Sequence, residues 1–460
     1  MSDFPWELLS VLLCPCCGSS FEASLKLAVS SCGISDGILS CDCYEYPVVH
    51  GIPVLRQMSP VASTHNGAVE CLREGDVEGA LIWLLAAGIA PGVRSPASSP
   101  ENLGSAISLI PKLRDFVRRR LGPPVAARIL QMEGFEAVLQ ATRPKAYANY
   151  LYQRFANPSL LGAIPPLIVL GDALRRGPRR RLLDLMSGAG HSSATLGALC
   201  PEVEVIMADI DFVNLYIARR FLAPEMAALC LDVELPLPLR DDSIDGVFCL
   251  DGLHYARSKV ALLREVDRIV SPEGAWLFAH MHNAKTNNIN PGAPLNRQGY
   301  SQRFAFGQQR LLAETEILRQ FQHDGSLDLT PQPPAADLDS SNALTLVGAR
   351  TEHLWKRHAD LDTALSRRSD LLGLNPLYRL EKAPDGLVAK AAWPSESLRR
   401  ECTGTPPLLR ESVHVDSRTL REIIAARSGE SLTGAVRELL RSFVLLPVPE
   451  CYPGANLLSR

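Results

Sequence analysis

The 460-residue chain has no long apolar run; its longest, Ala80–Ala90, is well short of the ~18–20 residues a membrane span needs. It also has no charge excess. Lys and Arg number 47 against 50 Asp and Glu, a formal net charge of −3, so nothing marks a polyanion as the main partner. A basic leader is missing as well: Asp3 and Glu7 flank the start of the apolar Leu8–Cys14 stretch, and the first basic residue is Lys26, which argues against a secretory signal. No internal repeat is visible. With 46% hydrophobic and 21% charged residues, the chain is too apolar for a disordered one. Its length fits two to four domains at roughly 100–200 residues each. The expectation is a cytoplasmic protein that does not engage a membrane. Its oligomeric state is not legible.

Cysteine is present and unevenly spread. Six of the twelve fall between Cys14 and Cys43, and the rest are scattered singly. In a reducing compartment such a cluster points to metal rather than disulfides. Cys14 and Cys17 form a C-x-x-C followed by Gly18, the shape of a zinc knuckle. The second pair, Cys41 and Cys43, is one residue short of that spacing, and Cys16 and Cys32 are alternatives. Four sulfurs would leave no open position on the ion, so a structural role is expected. The other reading is a metal-free ribbon with buried thiols.

Further along, residues 66–90 read as two short helices broken at Gly75-Asp76, and 91–100 reads as a linker. Helices are expected over 101–121 and 125–141. Arg118, Arg119 and Arg120 close the first, where basic residues complement the helix dipole. Then the pattern changes to short apolar runs: Arg181–Leu185, Val203–Ala208, Met226–Leu231, Asp245–Leu250 and Ala275–His280. Helical segments lie between most of them, at Ser192–Leu199, Phe212–Phe221 and Val260–Val270. This alternation predicts a mostly parallel, doubly wound α/β sheet covered on both faces. Ser326–Leu329 and Leu344–Val347 are expected to pair as an antiparallel hairpin at its edge. Residues 353–460 look like a separate α+β extension, with a hairpin around Pro384-Asp385-Gly386 and helices over Ser417–Ala426 and Leu432–Phe443.

The segment LLDLMSGAGHSS (Leu182–Ser193) sets an acid at the end of a strand and glycines before a helix. That is where backbone approaches a ligand closely and free N–H groups face it. Asp209 ends the next strand, where an acid takes ribose hydroxyls. Asp232 ends the third, followed by VELPLPLRDDSIDGVFCLDGLHY. A dehydrogenase would explain the first two features, but the third glycine of its fingerprint is absent and Asp232 has no place in it.

Taken together, DLMSGAG, ADIDFVNLYIARR, LDVELPLPLRDDSIDGVFCLDGLHY and LLREVDRIVSPEGAWLF resemble the class I S-adenosylmethionine-dependent methyltransferases, with a Rossmann-like fold, over about residues 145–350. The resemblance implies a cofactor site. Gly188 and Gly190 would line its methionine end together with Asp184. Asp209 would take the ribose, Asp232 the adenine amino group with Val233 nearby, and Leu250 would border the methyl. Ser187 and Ile210 belong to the same set. The family usually has glycine where Met186 stands. LLCPCCG…LSCDCYEYPVVHGIPVL resembles the small zinc-ribbon family that activates tRNA methyltransferases, which implies zinc on Cys14, Cys17, Cys41 and Cys43.

The implied order is a zinc ribbon (1–57), a helical spacer (58–144), a class I methyltransferase domain (145–352) and the C-terminal extension (353–460). The expected activity is methyl transfer from S-adenosylmethionine to O or N of a small-molecule or biosynthetic intermediate. RNA methylation and a non-catalytic scaffold are the alternatives. A base, if one is needed, should lie beyond the fourth and fifth strands, where His254, His280 and His282 stand. His254 and His282 are the candidates, and Asp251 could orient the substrate. The loop Asn283–Phe306 is long enough to carry substrate contacts through Arg297, Tyr300 and Arg303.

Overall fold

The cysteine-rich segment is a four-stranded antiparallel sheet of β1 (Glu22–Ser24), β2 (Gly37–Ser40), β3 (Glu45–Val49) and β4 (Ile52–Pro53), paired in that order. The turn between β3 and β4 uses two left-handed residues, His50 and Gly51. Gly51 is obligatory there, since a Cβ would lie 2.6 Å from the Ser2 carbonyl oxygen. The structure, a computed structural model, describes residues 2–24, 30–56, 62–89, 123–175, 179–288, 292–304, 306–403 and 408–452. The helix expected over 101–121, with Arg118–Arg120, lies outside them.

Beyond the ribbon come α1 (Ala62–Glu74) and α2 (Val77–Ile89), which pack on each other and on β3. They are broken where expected: Gly75 is left-handed, and Asp76 Oδ1 accepts from the Gly79 N–H at 2.8 Å. The single helix expected over 125–141 is instead two. Helical structure stops at residue 130, Gly134 takes φ = +115°, and α3 (Phe135–Thr142) starts afresh. The reason is local, because that φ is open essentially to glycine alone and cannot continue a helix. Next come α4 (Lys145–Tyr152) and α5 (Pro158–Leu174). Asn157 caps α5 by accepting from the Ser159 N–H at 3.0 Å, with Pro158 at the first helical position.

The central sheet is built from β5 (Arg181–Leu185), α6 (His191–Leu199), β6 (Glu204–Asp209), α7 (Phe212–Ile217), β7 (Ala227–Cys230), β8 (Ile244–Leu250), α8 (Lys259–Ile269) and β9 (Val270–His282), then α9 (Arg297–Arg303), β10 (Gln308–Ala313), α10 (Glu314–Asp324) and β11 (Ala343–Ala349). Its seven strands run β10-β11-β9-β8-β5-β6-β7. All are parallel except β11, which is antiparallel to both neighbours. This is the class I methyltransferase, Rossmann-like arrangement. The edge differs from expectation: β11 pairs with Gln308–Ala313, whereas Leu327–Asp328 pairs with Arg357–His358 in a separate ribbon.

Ribbon and sheet are joined edge to edge. Val54 bridges Cys230 in parallel, and the Leu55 N–H donates to the Cys230 carbonyl at 2.7 Å. On the other side, the Leu13 and Arg240 N–H groups donate to Pro238 and Val11 carbonyls, so the LPLP segment pairs with the ribbon's approach. Arg219, fully buried, donates to the Gly51 carbonyl at 3.2 Å and to Ser2. These contacts cover β7, which would otherwise be an open edge.

In the C-terminal segment β12 (Tyr378–Ala383), β13 (Gly386–Ala391) and β14 (Ser412–Asp416) form an antiparallel sheet backed by α11 (Ser417–Arg427), on which α12 (Gly434–Arg441) packs. Its core is continuous with the rest. One apolar cluster runs from Ile38 and Val54 through Leu160–Leu170 to Leu439–Val448 and Tyr452. The Tyr452 hydroxyl lies 3.1 Å from His191 Nε2 and donates to the Tyr152 carbonyl at 3.0 Å, directly behind the glycine loop.

Candidate active site

At the carboxyl edge of the sheet lies an open cavity of about 1330 Å³, where ligands of α/β folds bind. Its first wall is the loop from β5 to α6. Met186, Gly188 and Gly190 there are all left-handed, with φ of +60°, +55° and +81°. Gly190 has a steric reason, since its Cβ would sit 2.6 Å from Ala218 Cβ. A Cβ on Gly188 would meet nothing within 4 Å, so that position faces open cavity. The Gly188 N–H donates to Asp209 Oδ2 and the Asp211 N–H to Asp209 Oδ1, both at 2.8 Å. Burial, with Asp211 beside it, pushes the Asp209 carboxyl up to about 6.

Ser187, Gly188, Asp209, Ile210, Asp232, Val233 and Leu250 all line this cavity. Ser187 Oγ has no protein partner, and the Glu234 N–H donates to Asp232 Oδ1 at 2.9 Å. Asp184 and Gly190 stand behind the loop rather than on the wall. Asp184 Oδ2 accepts from the Ser192 and Ser193 hydroxyls at 2.7 and 2.6 Å, while Oδ1 has no hydrogen bond. Burial pushes this carboxyl up to about 7. An orphan hydroxyl and two acids on successive strand ends suit a ligand with a ribose diol and an adenine. The fold supports S-adenosylmethionine as that ligand.

The second wall is a polar cluster. Asp251 follows β8 with φ = +56°, and His280 sits in β9 with φ = +52°. With Met186, three non-glycine residues at adjacent strand ends are left-handed, a cost that concentrates at functional sites. Asp251 Oδ2 accepts from the Tyr150 hydroxyl at 3.1 Å and pairs with Arg154 at 3.3 Å. Asp251 Oδ1 lies 3.6 Å from His282 Nε2 and 3.7 Å from His254 Nε2. His280 Nδ1 is 2.7 Å from Glu314 Oε2. Burial alone would lower the His280 imidazole, but Glu314 and Asp251 outweigh it and raise it to about 9.

His254 and His282 stack with ring centroids 3.8 Å apart and planes at 13°. His282 reaches the cavity wall and His254 does not. His254 is fully buried, its nitrogens make no hydrogen bond, and burial plus the neighbouring His282 push it down to about 3. Tyr150, Arg154 and Glu314 join the cluster from α4, the turn after it and α10. Nothing in the local sequence marks them. In the loop over 283–306, Arg297, Tyr300 and Arg303, expected to contact the substrate, do not line the cavity. Tyr300 is fully buried and donates to the His282 carbonyl at 2.9 Å, Arg297 pairs with Asp339 at 3.0 Å, and Arg303 donates to the Gly299 carbonyl. Asn287 and Asn288 reach the cavity instead.

Away from the cavity, one sulfur each of Cys14, Cys17, Cys41 and Cys43 lies within 4.8 Å of the others. Cys16 and Cys32 are not in this group, and none of the twelve cysteines is in a disulfide. Burial works against ionising Cys14, but the Tyr46 hydroxyl and the backbone N–H groups of Cys17 and Cys16 outweigh it, and the thiol falls to about 6. Four convergent thiols, one readily ionised, suit tetrahedral zinc.

Residues 183–278 match the family described as a methyltransferase domain. Malonyl-[acyl-carrier protein] O-methyltransferase of Halorhodospira halophila is 36% identical over 103 residues, which cover 22% of this chain and 34% of that protein. The enzyme of the same name from Methylococcus capsulatus is 28% identical over 223 residues, 45% of this chain and 78% of that one. A chain in the solved complex between the Haloferax volcanii Trm112 methyltransferase activator and a methyltransferase aligns at 20% identity and a TM-score of 0.29, covering 40% of this chain and 88% of that one. The chain spans about a third of the length of the first curated relatives it matches. The region from β5 to β9 is thus a class I methyltransferase domain.

Proposed function

We propose that this chain is an S-adenosylmethionine-dependent methyltransferase acting on an oxygen of a small biosynthetic intermediate. The observation that carries the reading is a single cavity with the cofactor residues on one wall and Asp251, His280 and His282 on the other. The names of the curated relatives support a carboxylate or similar oxygen, free or carrier-linked, as acceptor.

In the proposed reaction Asp209 takes the ribose hydroxyls, Asp232 the adenine amino group, and the loop from Ser187 to Gly190 the methionine end. The sulfonium already activates its methyl group. The acceptor oxygen attacks that carbon, the carbon–sulfur bond breaks, and a neutral thioether leaves. The chain's task is to hold the oxygen in line and exclude water. A carboxylate acceptor needs no base. A hydroxyl acceptor gives its proton to His282, which Asp251 orients; His254 braces that ring from behind. The four ribbon cysteines would hold a structural zinc, and the disulfide-free cysteines support a cytoplasmic setting.

The test is transfer of labelled methyl from the cofactor by the full chain, offered acyl-carrier thioesters, free carboxylic acids, phenols and transfer RNA in parallel. The reading expects label in a small-molecule or carrier-linked acceptor, in a base-labile ester or an ether. Label confined to RNA, or to nitrogen, would contradict it.

A further inference from the structure

Three side chains at the acceptor end of the cavity converge in a way that methyl transfer does not by itself require. One donor atom each of Asp251, His280 and His282 lies within 4.8 Å of the others, and all three residues line the cavity. We infer that Asp251, His280 and His282 form a site for a divalent first-row transition-metal ion that opens toward the acceptor. What the ion does there rests on the methyl-transfer reading; that it binds does not, and while it is bound His282 and Asp251 serve as its ligands in place of the base and its orienting group.

Each ligand is held in position from behind. Tyr150 and Arg154 occupy Asp251 Oδ2, so Oδ1 is the oxygen turned to the imidazoles. Glu314 occupies His280 Nδ1, which assigns Nε2 to the ion. A carboxylate behind a ligating imidazole fixes its tautomer and raises its basicity. Room for that carboxylate is built into the fold: a Cβ on Gly162 would lie 2.6 Å from Glu314 Cγ, so α5 carries glycine where Glu314 passes. The stacked ring of His254 holds the plane of His282. Two imidazoles and a carboxylate suit iron, manganese, cobalt, nickel or zinc, and three protein ligands leave coordination positions for a substrate.

Charge indicates what would fill those positions. A ligating imidazole is neutral, so in the metal-bound site Arg154 contributes one positive charge, the divalent ion two, and Asp251 and Glu314 one negative charge each, a sum of +1. The site then favours an acceptor bound through an anionic oxygen, such as a carboxylate, enolate or phenolate, and disfavours an amine.

The experiment titrates the chelator-stripped full-length protein with Co²⁺, followed by absorbance and calorimetry, with S-adenosylhomocysteine binding measured on every sample. One equivalent without thiolate charge-transfer absorption is expected, apart from any equivalent that shows such bands and disappears in Cys14→Ser. The thiolate-free equivalent should weaken by at least about tenfold in both Asp251→Asn and His282→Gln. It should weaken about 10–100-fold in Glu314→Gln, which removes no ligand and carries the test if another variant does not fold. Absence of a thiolate-free equivalent from the unmodified protein, or its persistence undiminished in these variants, would overturn the site. Failure of the methyl-transfer reading looks different: cobalt binds, and S-adenosylhomocysteine does not.

Discussion

Met186 and Gly252 occupy one patch of space between two strand ends. A Cβ on Gly252 would lie 3.0 Å from both Cβ and Sδ of Met186, and 2.8 Å from Cys249 Sγ. The methionine that stands where glycine is usual thus has its compensation on the neighbouring strand. Its left-handed backbone keeps the course of the loop, and Gly252 makes room for its side chain.

This pairing predicts a coupled response. Gly252→Ala should destabilise the protein by about 1–3 kcal/mol through overpacking. Adding Met186→Gly should recover part of that, with a coupling of about 0.5–2 kcal/mol. Urea unfolding of the two single variants and the double variant measures it. Strictly additive effects would mean that the two residues do not meet.

A pH dependence follows from Asp209. Its carboxyl is raised to about 6 in the folded chain, mainly by burial. In the free protein this favours the protonated form, so the stability it contributes is present at low pH and lost as pH rises through about 6. In the proposed site the ribose takes the charged form, so affinity is predicted to run the other way and fall by up to about tenfold per unit as pH drops below about 6. Calorimetric titration of S-adenosylhomocysteine between about pH 8 and about pH 5 checks it. Asp209→Asn should bind weakly and lose that slope, and any slope left near neutrality belongs to Asp184, raised to about 7 by burial.

The ribbon depends on metal and on Arg219. Residues 2–56 have a small core, so ligation is expected to supply part of their stability. Cys14→Ser should lower the zinc content by about one equivalent per chain and open this segment to proteolysis. Arg219→Ala should loosen the same segment with zinc retained, costing about 1.5–3 kcal/mol for hydrogen bonds from a buried charged donor. Limited proteolysis with elemental analysis separates the two effects.

Behind the glycine loop, the Tyr452 hydroxyl lies 3.0 Å from the Tyr152 carbonyl and 3.1 Å from His191 Nε2, and the Leu151 backbone also hydrogen-bonds the imidazole. Burial pushes His191 down to about 3, which keeps it neutral. Tyr452→Phe strands both partners and should cost about 1–3 kcal/mol in urea unfolding.

The sequence revealed those parts whose signal is local. The five central strands are short apolar runs, three of them ending at or just before an aspartate, and they fall within a few residues of the observed β5 to β9. β10 is different. Its QQRLLA opens with three polar residues and buries only Leu311, Leu312 and Ala313, so it carries no strand signal, while the more apolar Ser326–Leu329 attracted the assignment. That Asp209, Ile210, Asp232 and Val233 line one cavity was legible because they lie at or beside strand ends that the pattern locates. The acceptor wall was legible only in part. His280 and His282 lie on a strand that the pattern finds, but Tyr150, Arg154 and Glu314 arrive from helical segments far off in sequence, and only the folded chain brings them to Asp251. Tyr300 misled for the opposite reason, since an aromatic in a polar loop reads as exposed, and here it is an anchor beneath His282.

Cofactor binding tests the central claim most directly. Isothermal titration of the full chain with S-adenosylhomocysteine should show one equivalent bound, weakened about 10–100-fold in Asp209→Ala through loss of a charged acceptor for the ribose. No binding, or binding of equal strength in Asp209→Ala, would contradict the account of this cavity.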